Sequence, residues 1–383
     1  MKIKEPWRVI LDHIFILVSC IEMVLGILYL CKYEIPHKRF ILWGFLAVYL
    51  LKALSNTYSR NEKLIFIATI VIGCLLYFKT GINTGIKAPV YIFAMKEVDK
   101  EGLFKGFLLS MLTSVGAIFI GSIFWGLGTS YVKDVRFERG FGGIRYSLGF
   151  SSPNITQFIL FVIMVYIILL YYKRLNGWKL GIMAGVYLGV YCLTNCYTGL
   201  VMGILLLLSI FLLKKVKWDK LPDALWHFFI AMMVFFLVVA LWAASGQERS
   251  WWMETINQLI SGRMDQLVEH TNDMMYALPS LQNWHLFSDR LNKNWYDLGY
   301  VQIFYYYGTV MGSCYLLFVG YAMSKARKRK DIVKMILTIS LCIYLFMESR
   351  YFMNYLTSDY LLMIAAATMW GGFADEYRLD SEA

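Results

Sequence analysis

The chain is 383 residues long, 59% hydrophobic and 17% aromatic, with only 16% charged residues and a mean hydropathy of +0.55. Such usage excludes an ordinary soluble enzyme and a disordered chain. The formal net charge of +11 is then no argument for nucleic acid, because the cytoplasmic loops of membrane proteins collect Lys and Arg.

Apolar runs of roughly 20 residues recur along the sequence, and a bilayer admits only helices or closed barrels, since backbone polar groups there must be satisfied internally. The reading is an all-α polytopic membrane protein, a single transmembrane domain over residues 1–383 with about 12 helices. Lys2, Lys4 and Arg8 precede an apolar run at 9–30 that is too long for a signal-peptide core. It is expected to be an uncleaved first span with its N-terminus in the cytoplasm.

Further spans are expected at 40–54 and 64–78. A shorter piece at 82–94 contains Pro89 and reads as a thin span or a re-entrant segment. A clear span at 103–127 leads into a polar loop at 128–152 that holds Lys133, Arg136, Arg139 and Arg145. Spans at 155–172, 180–193, 200–213 and 225–244 follow. Next comes the one long polar segment, 246–297, and after it spans at 298–323, 336–346 and 355–370. Within the long segment, Trp252, Ile256, Leu259, Ile260 and Leu267 fall near helical spacing, so 251–270 is expected to form an interfacial amphipathic helix with Arg263 on its polar side.

Alternating these spans across the bilayer puts the larger share of Lys and Arg on the side of both termini, including Lys96, Lys100, Lys173, Arg174, Lys214, Lys215 and the run from Lys325 to Lys330. Both termini are therefore expected in the cytoplasm. The Arg-rich loop at 128–152 and the main loop at 246–297 then share the extracytoplasmic face.

Cys20, Cys74, Cys192, Cys314 and Cys342 lie inside apolar runs and no CxxC pair occurs, which argues against a disulfide scaffold. Gly181, Gly185 and Gly189, Gly199 and Gly203, and Gly308 and Gly312 recur at four-residue spacing, the pattern of close helix approach. Glu22 sits near the middle of the first span, where an ionised carboxylate is expensive. It is a functional candidate or a neutral group hydrogen-bonded within the bundle, and the sequence offers no partner at matching depth. Lys52, nearer the inner boundary, can snorkel.

Arginines in the run RFERGFGGIRYSLGFSSPN suit a phosphate or pyrophosphate, because the planar guanidinium bonds two oxygens at once and keeps its charge. Pairing with anionic headgroups is the plainer reading for Lys133 and Arg136. Trp252, Trp284 and Trp295 either stack on sugars or anchor the interface. His270 and His285 fit no evident motif. No Asp-x-Asp stands in an outer loop, so no divalent metal is expected, and no cofactor.

These residues resemble a known family, the bacterial Wzy-type O-antigen and capsular polysaccharide polymerases and the related O-antigen ligases. RYSLGFSSPN, from Arg145 to Asn154, is similar to the family's Arg, Gly-Phe and Pro-Asn signature at the outer start of a span. Ser261, Gly262 and Arg263 resemble its Gly-Arg loop motif. Asp297, Gly299, Tyr300 and Gly308 resemble the Asp-x-x-Tyr pattern that opens the following span, and Glu348 with Asn354 resembles its last outer turn. LTNCYTGL looks like the family's Thr-x-Ser-Arg-Thr-Gly turn, but Cys196 and Tyr197 stand where Ser and Arg are usual, so Arg350 and Lys87 are the candidates to supply the missing cation.

The resemblance implies a GT-C-like membrane glycosyltransferase that moves a growing glycan from undecaprenyl pyrophosphate onto a lipid-linked repeat unit, outside the bacterial plasma membrane. Arg139, Arg145 and Arg263 would gather the charge of the departing pyrophosphate. Asp297 and Glu348 are the candidate bases for the attacking hydroxyl. Arg136, Asn154 and Tyr300 would line the substrate, and a chain-length regulator is a candidate partner. An O-antigen ligase is the close alternative. A lipid-linked oligosaccharide flippase or other transporter is the alternative of another class, disfavoured in the sequence because polar residues gather on one face rather than at midplane.

Overall fold

The computed structural model describes residues 5–133, 143–215, 221–244, 251–259, 286–287, 298–348 and 355–371. It is a helical membrane protein. Among the described residues six helices are long and apolar enough to cross a bilayer: α1 (Glu5–Leu30), α3 (Arg60–Thr80), α5 (Lys100–Trp125), α6 (Pro153–Tyr171), α8 (Tyr197–Lys215) and α9 (Leu221–Ala244). Between them lie α2 (Lys38–Ser55), α4 (Thr84–Ala94) and α7 (Gly177–Thr194). The chain continues with α10 (Trp251–Leu259), α11 (Gly299–Tyr306), α12 (Thr309–Lys328), α13 (Ile332–Met347) and α14 (Tyr360–Trp370).

Local signals start and stop these helices where the chain can satisfy their ends. Ser59 and Glu62 form a reciprocal capping box at the start of α3, and Gly81 closes it in the left-handed conformation. Ser152 accepts from the Ile155 amide, with Pro153 as the first residue of α6. Asp359 likewise caps α14 through the Leu362 amide.

Burial divides the bundle. α6, α13 and α14 are enclosed nearly throughout and form the centre. α3 instead exposes Leu64, Ile65, Ile67, Val71 and Leu75, and α8 exposes Val201, Ile204, Leu205 and Leu208. Helices whose outer faces are as apolar as their inner ones fit a lipid solvent, not water.

Three expectations change. Residues 128–152 form more than a loop. β1 (Thr129–Lys133) pairs antiparallel with β2 (Ile144–Gly149), so the chain is not wholly α-helical. Gly128 at φ +70 and Gly149 at φ +92 close the base of this hairpin, where a Cβ on Gly128 would lie 2.1 Å from the Gly149 carbonyl oxygen. The span expected at 298–323 breaks into α11 and α12, because Gly308 turns the chain at φ +88. Gly312 then lets the two pieces pack together, since a Cβ there would meet Ile303 and Phe304 at 2.8 and 2.9 Å.

The glycine stripes also part company. Gly203 lies hard against the Tyr187 ring, where an added Cβ would stand 2.0 Å from a ring carbon, so α7 and α8 do approach closely there. Gly181, Gly185 and Gly189 have nothing within 4 Å of where a Cβ would stand. That stripe packs no helix among the described residues.

The short segment at 82–94 is α4, 11 residues with Pro89 inside it, and α14 has 11 residues as well. Each is about 16 Å long, roughly half of a ~30 Å hydrocarbon core. The amphipathic helix expected at 251–270 is described as α10 over its first nine residues; the remainder lies outside the described residues.

Candidate functional site

One end of the bundle carries the β-hairpin. The Ser151 amide donates to the carbonyl of Leu30, the last residue of α1, and the Thr156 hydroxyl donates to Ser147 O at 2.6 Å. The hairpin is thereby pinned over the end of α1 and the start of α6.

Arg145, half-buried on β2, donates from Nε to Thr194 O at 2.9 Å and from Nη2 to Asn154 Oδ1 at 2.9 Å. It therefore joins the hairpin to the first turn of α6 and the last turn of α7. From Thr194 the network runs inward. The Thr194 hydroxyl donates to Gln157 Oε1 at 3.0 Å, and Tyr187 donates its hydroxyl to Gly199 O at 2.7 Å. All of Gln157, Thr194 and Tyr187 are buried, where an unmade hydrogen bond costs about 1–3 kcal/mol.

Two of the short motifs thus touch. Arg145 and Asn154 belong to the run RYSLGFSSPN, and Thr194 and Gly199 belong to LTNCYTGL. Asn195 turns that second motif in the left-handed conformation at φ 47. Cys196 is buried beneath the turn, whereas Tyr197 is exposed and meets Tyr191 with ring centroids 5.8 Å apart.

α13 reaches the same place. A Cβ on Gly199 would lie 3.2 Å from the Tyr344 hydroxyl, and Glu348 ends α13 one turn later with its amide on Tyr344 O. Glu348 is buried, 4% exposed. Phe346 stacks on Phe236 with centroids 4.1 Å apart, and Tyr300 packs against both rings. The Tyr300 hydroxyl lies 3.0 Å from Met233 Sδ, so its described contacts are those of a core residue at the foot of the site. Leu286 O accepts from the Val310 amide, and the Phe287 ring lies under the Lys79 ammonium. This part of the long polar segment rests on the ends of α3 and α12.

Arg136, Arg139, Arg263, Asp297, Arg350 and Asn354 lie outside the described residues. Of the residues expected to act on substrate, the structure joins Arg145 and Asn154 to the turn at Thr194, and ends at Glu348 the helix whose Tyr344 reaches that turn, with Tyr300 buried against Phe346 of the same helix. It places Lys87 elsewhere.

Lys87 belongs to a second polar site. It is buried on α4, 3% exposed, and close enough to Glu22 of α1 for the two charges to act on each other. Glu22, 1% exposed, accepts from the Tyr49 hydroxyl at 2.7 Å and from the Leu356 amide at 3.0 Å. The partners that sequence reasoning lacked come from α2, α4 and the short 3-10 turn Leu356–Ser358. Tyr91, donating to Ser19 Oγ at 3.2 Å, packs edge-on against Tyr49. Tyr355, Thr357 and Ser358 bring three further buried hydroxyls to this region, and none of them has a hydrogen-bond partner among the described residues. Glu22 precedes Leu30 by eight residues, about 12 Å of helix, so the cluster lies well inside the bundle.

The opposite end is held by ion pairs. Arg8 meets Glu97, Lys52 meets Asp12 at 2.5 Å, and Lys96 meets Glu62 at 2.6 Å. Lys52 does not snorkel outward: its side chain is fully enclosed and also donates to Asn56. Among the described residues no three His, Cys, Asp or Glu side chains are grouped to hold a metal ion. Comparison of the chain with protein-family models, with curated proteins and with solved structures finds no match in any of the three.

Proposed function

We propose that this chain is a membrane glycosyltransferase of the polysaccharide-polymerase type, working at the hairpin end of the bundle on an undecaprenyl-pyrophosphate-linked glycan. One observation carries the reading. Two short motifs that resemble the Wzy family, Arg145–Asn154 and Leu193–Leu200, meet at one end through Arg145 and Thr194, and Tyr344 of the helix that leads to Glu348 reaches Gly199 there.

The chemistry this arrangement suits is a displacement at an anomeric carbon. The acceptor hydroxyl forms the new C–O bond as the bond to pyrophosphate breaks. Its proton passes to a carboxylate, for which Glu348 and Asp297 are the candidates. The lipid pyrophosphate leaves with the bonding pair, and its charge is met by Arg145 with Arg139 and Arg263. On this reading the hairpin end faces outward from a bacterial plasma membrane, and an O-antigen ligase would use the same groups on a different acceptor.

The test is reconstitution. Vesicles holding the purified full chain and a lipid-pyrophosphate repeat unit should yield a ladder of lengthened glycans. A Glu348→Gln protein that folds and produces the same ladder removes Glu348 from the mechanism, and an inactive native protein counts against the activity.

A second reading, a flippase or other transporter, is favoured by a specific observation. Glu22 and Lys87 are two ionisable side chains buried inside the bundle, with α4 and α14 too short to cross it alone, a pattern associated with transport sites. Protein-dependent movement of a labelled lipid-linked oligosaccharide between leaflets, with no chain growth, would select it.

A further inference from the structure

α4 has two faces. Lys87 and Tyr91, four residues apart, turn toward α1. Gly85, Ala88, Pro89, Ile92 and Lys96 follow the same helical spacing on the other side and line a cavity of about 650 Å³ between α3, α4, α12 and α14.

The walls of this cavity are apolar along most of their length and cationic at one end. Lys96, Lys325 and Arg329 stand there against one carboxylate, Glu62. These cations are held in place. Lys96 lies over the rings of Tyr58 and Trp370 at 5.0 and 5.2 Å, and Arg329 donates to the carbonyls of Thr368 and Met369. Toward the other end Gly73 and Gly85 bring α3 and α4 into backbone contact, with only 2.4 Å between a Cβ on Gly73 and Gly85 O. From Gly85 to Lys96, and from Met311 to Lys325, the groove is about 16–21 Å long by helix rise. That is roughly the depth of one leaflet.

We propose that this groove holds an acyl chain of an anionic glycerophospholipid whose phosphate sits at the Lys96–Lys325–Arg329 end. An excess of positive charge at one end, and an apolar trough one leaflet deep, match an amphiphile with a single anionic head. The proposal needs only the membrane setting and is independent of the glycosyltransferase reading. The groove also lies across α4 from Glu22 and Lys87, so the two sites are separable by mutation.

The test uses the full chain in nanodiscs holding equal phosphatidylglycerol and phosphatidylcholine, re-extracted into mild detergent, with retained lipid read by native mass spectrometry. Phosphatidylglycerol should be retained in preference. Lys325→Gln should weaken its retention about fivefold, the effect of one basic residue near an anionic headgroup. Cys314, exposed on the groove wall, allows a second variant that removes no charge. Cys314→Phe should fill the trough and abolish retention while leaving the melting temperature unchanged. Equal retention of both lipids, full retention in Cys314→Phe, or a groove that keeps neither lipid because other chain fills it, would each overturn the proposal. Release of the lipid by inorganic phosphate alone would show a phosphate site without a tail site, and would overturn it too.

Discussion

Arg145 and Glu22 anchor two polar sites that are built in opposite ways. Arg145 takes its described partners from Asn154 and Thr194, at most 49 residues away, and it uses a backbone carbonyl and a side-chain amide. Glu22 takes a hydroxyl from α2 and a backbone amide 334 residues away, with Lys87 of α4 beside it. The first site is a clasp at the rim of the bundle, where a cation can hold the scaffold near bulk water. The second is a carboxylate enclosed by protein, where each donor that meets it must be supplied by another helix. A motif can announce the first kind of site, and only packing can assemble the second.

The largest effect should come from Glu22→Leu. It leaves the Tyr49 hydroxyl and the Leu356 amide without their acceptor and removes the carboxylate beside Lys87. Each buried donor left without an acceptor costs about 1–3 kcal/mol, so the purified protein should melt well below the native one or fail to accumulate. Glu22→Gln keeps an acceptor oxygen and should melt close to the native protein. Loss of function in Glu22→Gln at native stability would make Glu22 a working group and would move weight to the transport reading.

Arg145→Ala should come next. It removes two charge-assisted hydrogen bonds, each worth about 1.5–3 kcal/mol, and it should abolish long-chain polysaccharide in cells while the protein remains in the membrane. Arg145→Lys keeps the charge but not the planar fork, and should also fail. Normal glycan ladders in Arg145→Ala would end the case for this residue in the site.

Glycine substitutions sharpen the contrast at smaller magnitude. Gly149→Ala at φ +92 would press its methyl to 2.6 Å from Ile118 Cγ2 at the base of the hairpin, a strain of about 1–3 kcal/mol. Gly26→Ala would strike Ser358 Oγ at 1.9 Å, but a hydroxymethyl can rotate, so a loss near 1 kcal/mol is expected. Gly185→Ala meets nothing within 4 Å and should be neutral or raise stability by about 0.5–1 kcal/mol through helix propensity. Thermal melts in one detergent rank all three. A Gly185→Ala protein that melts lower than Gly149→Ala would invert the assignment of which glycines carry packing.

Much of the helical layout was legible in the sequence. The expected runs at 103–127, 155–172 and 200–213 correspond to α5, α6 and α8 within a few residues, because a long apolar run in a bilayer has no other way to satisfy its backbone. The hairpin was not legible. Its strands, TSYVK and IRYSLG, are too short and too mixed to stand out beside spans of about 20 residues. The break at Gly308 was missed because a glycine inside an apolar run reads equally as a packing residue or a turn, and only its φ separates the two.

Sequence alone determined that this is a helical membrane chain, where most of its helices begin and end, and that Arg145 and Asn154 stand together before α6. Hydropathy and capping are local properties, readable one segment at a time. Tertiary structure alone decided that Glu22 is enclosed by Tyr49, Lys87 and Leu356, that Gly203 packs against Tyr187 while Gly185 packs against nothing described, and that α4 separates a charged cluster from an apolar groove. These depend on which helix faces which. In lipid the outer and inner faces of a helix are equally apolar, so the pattern of residues along one helix does not carry that information.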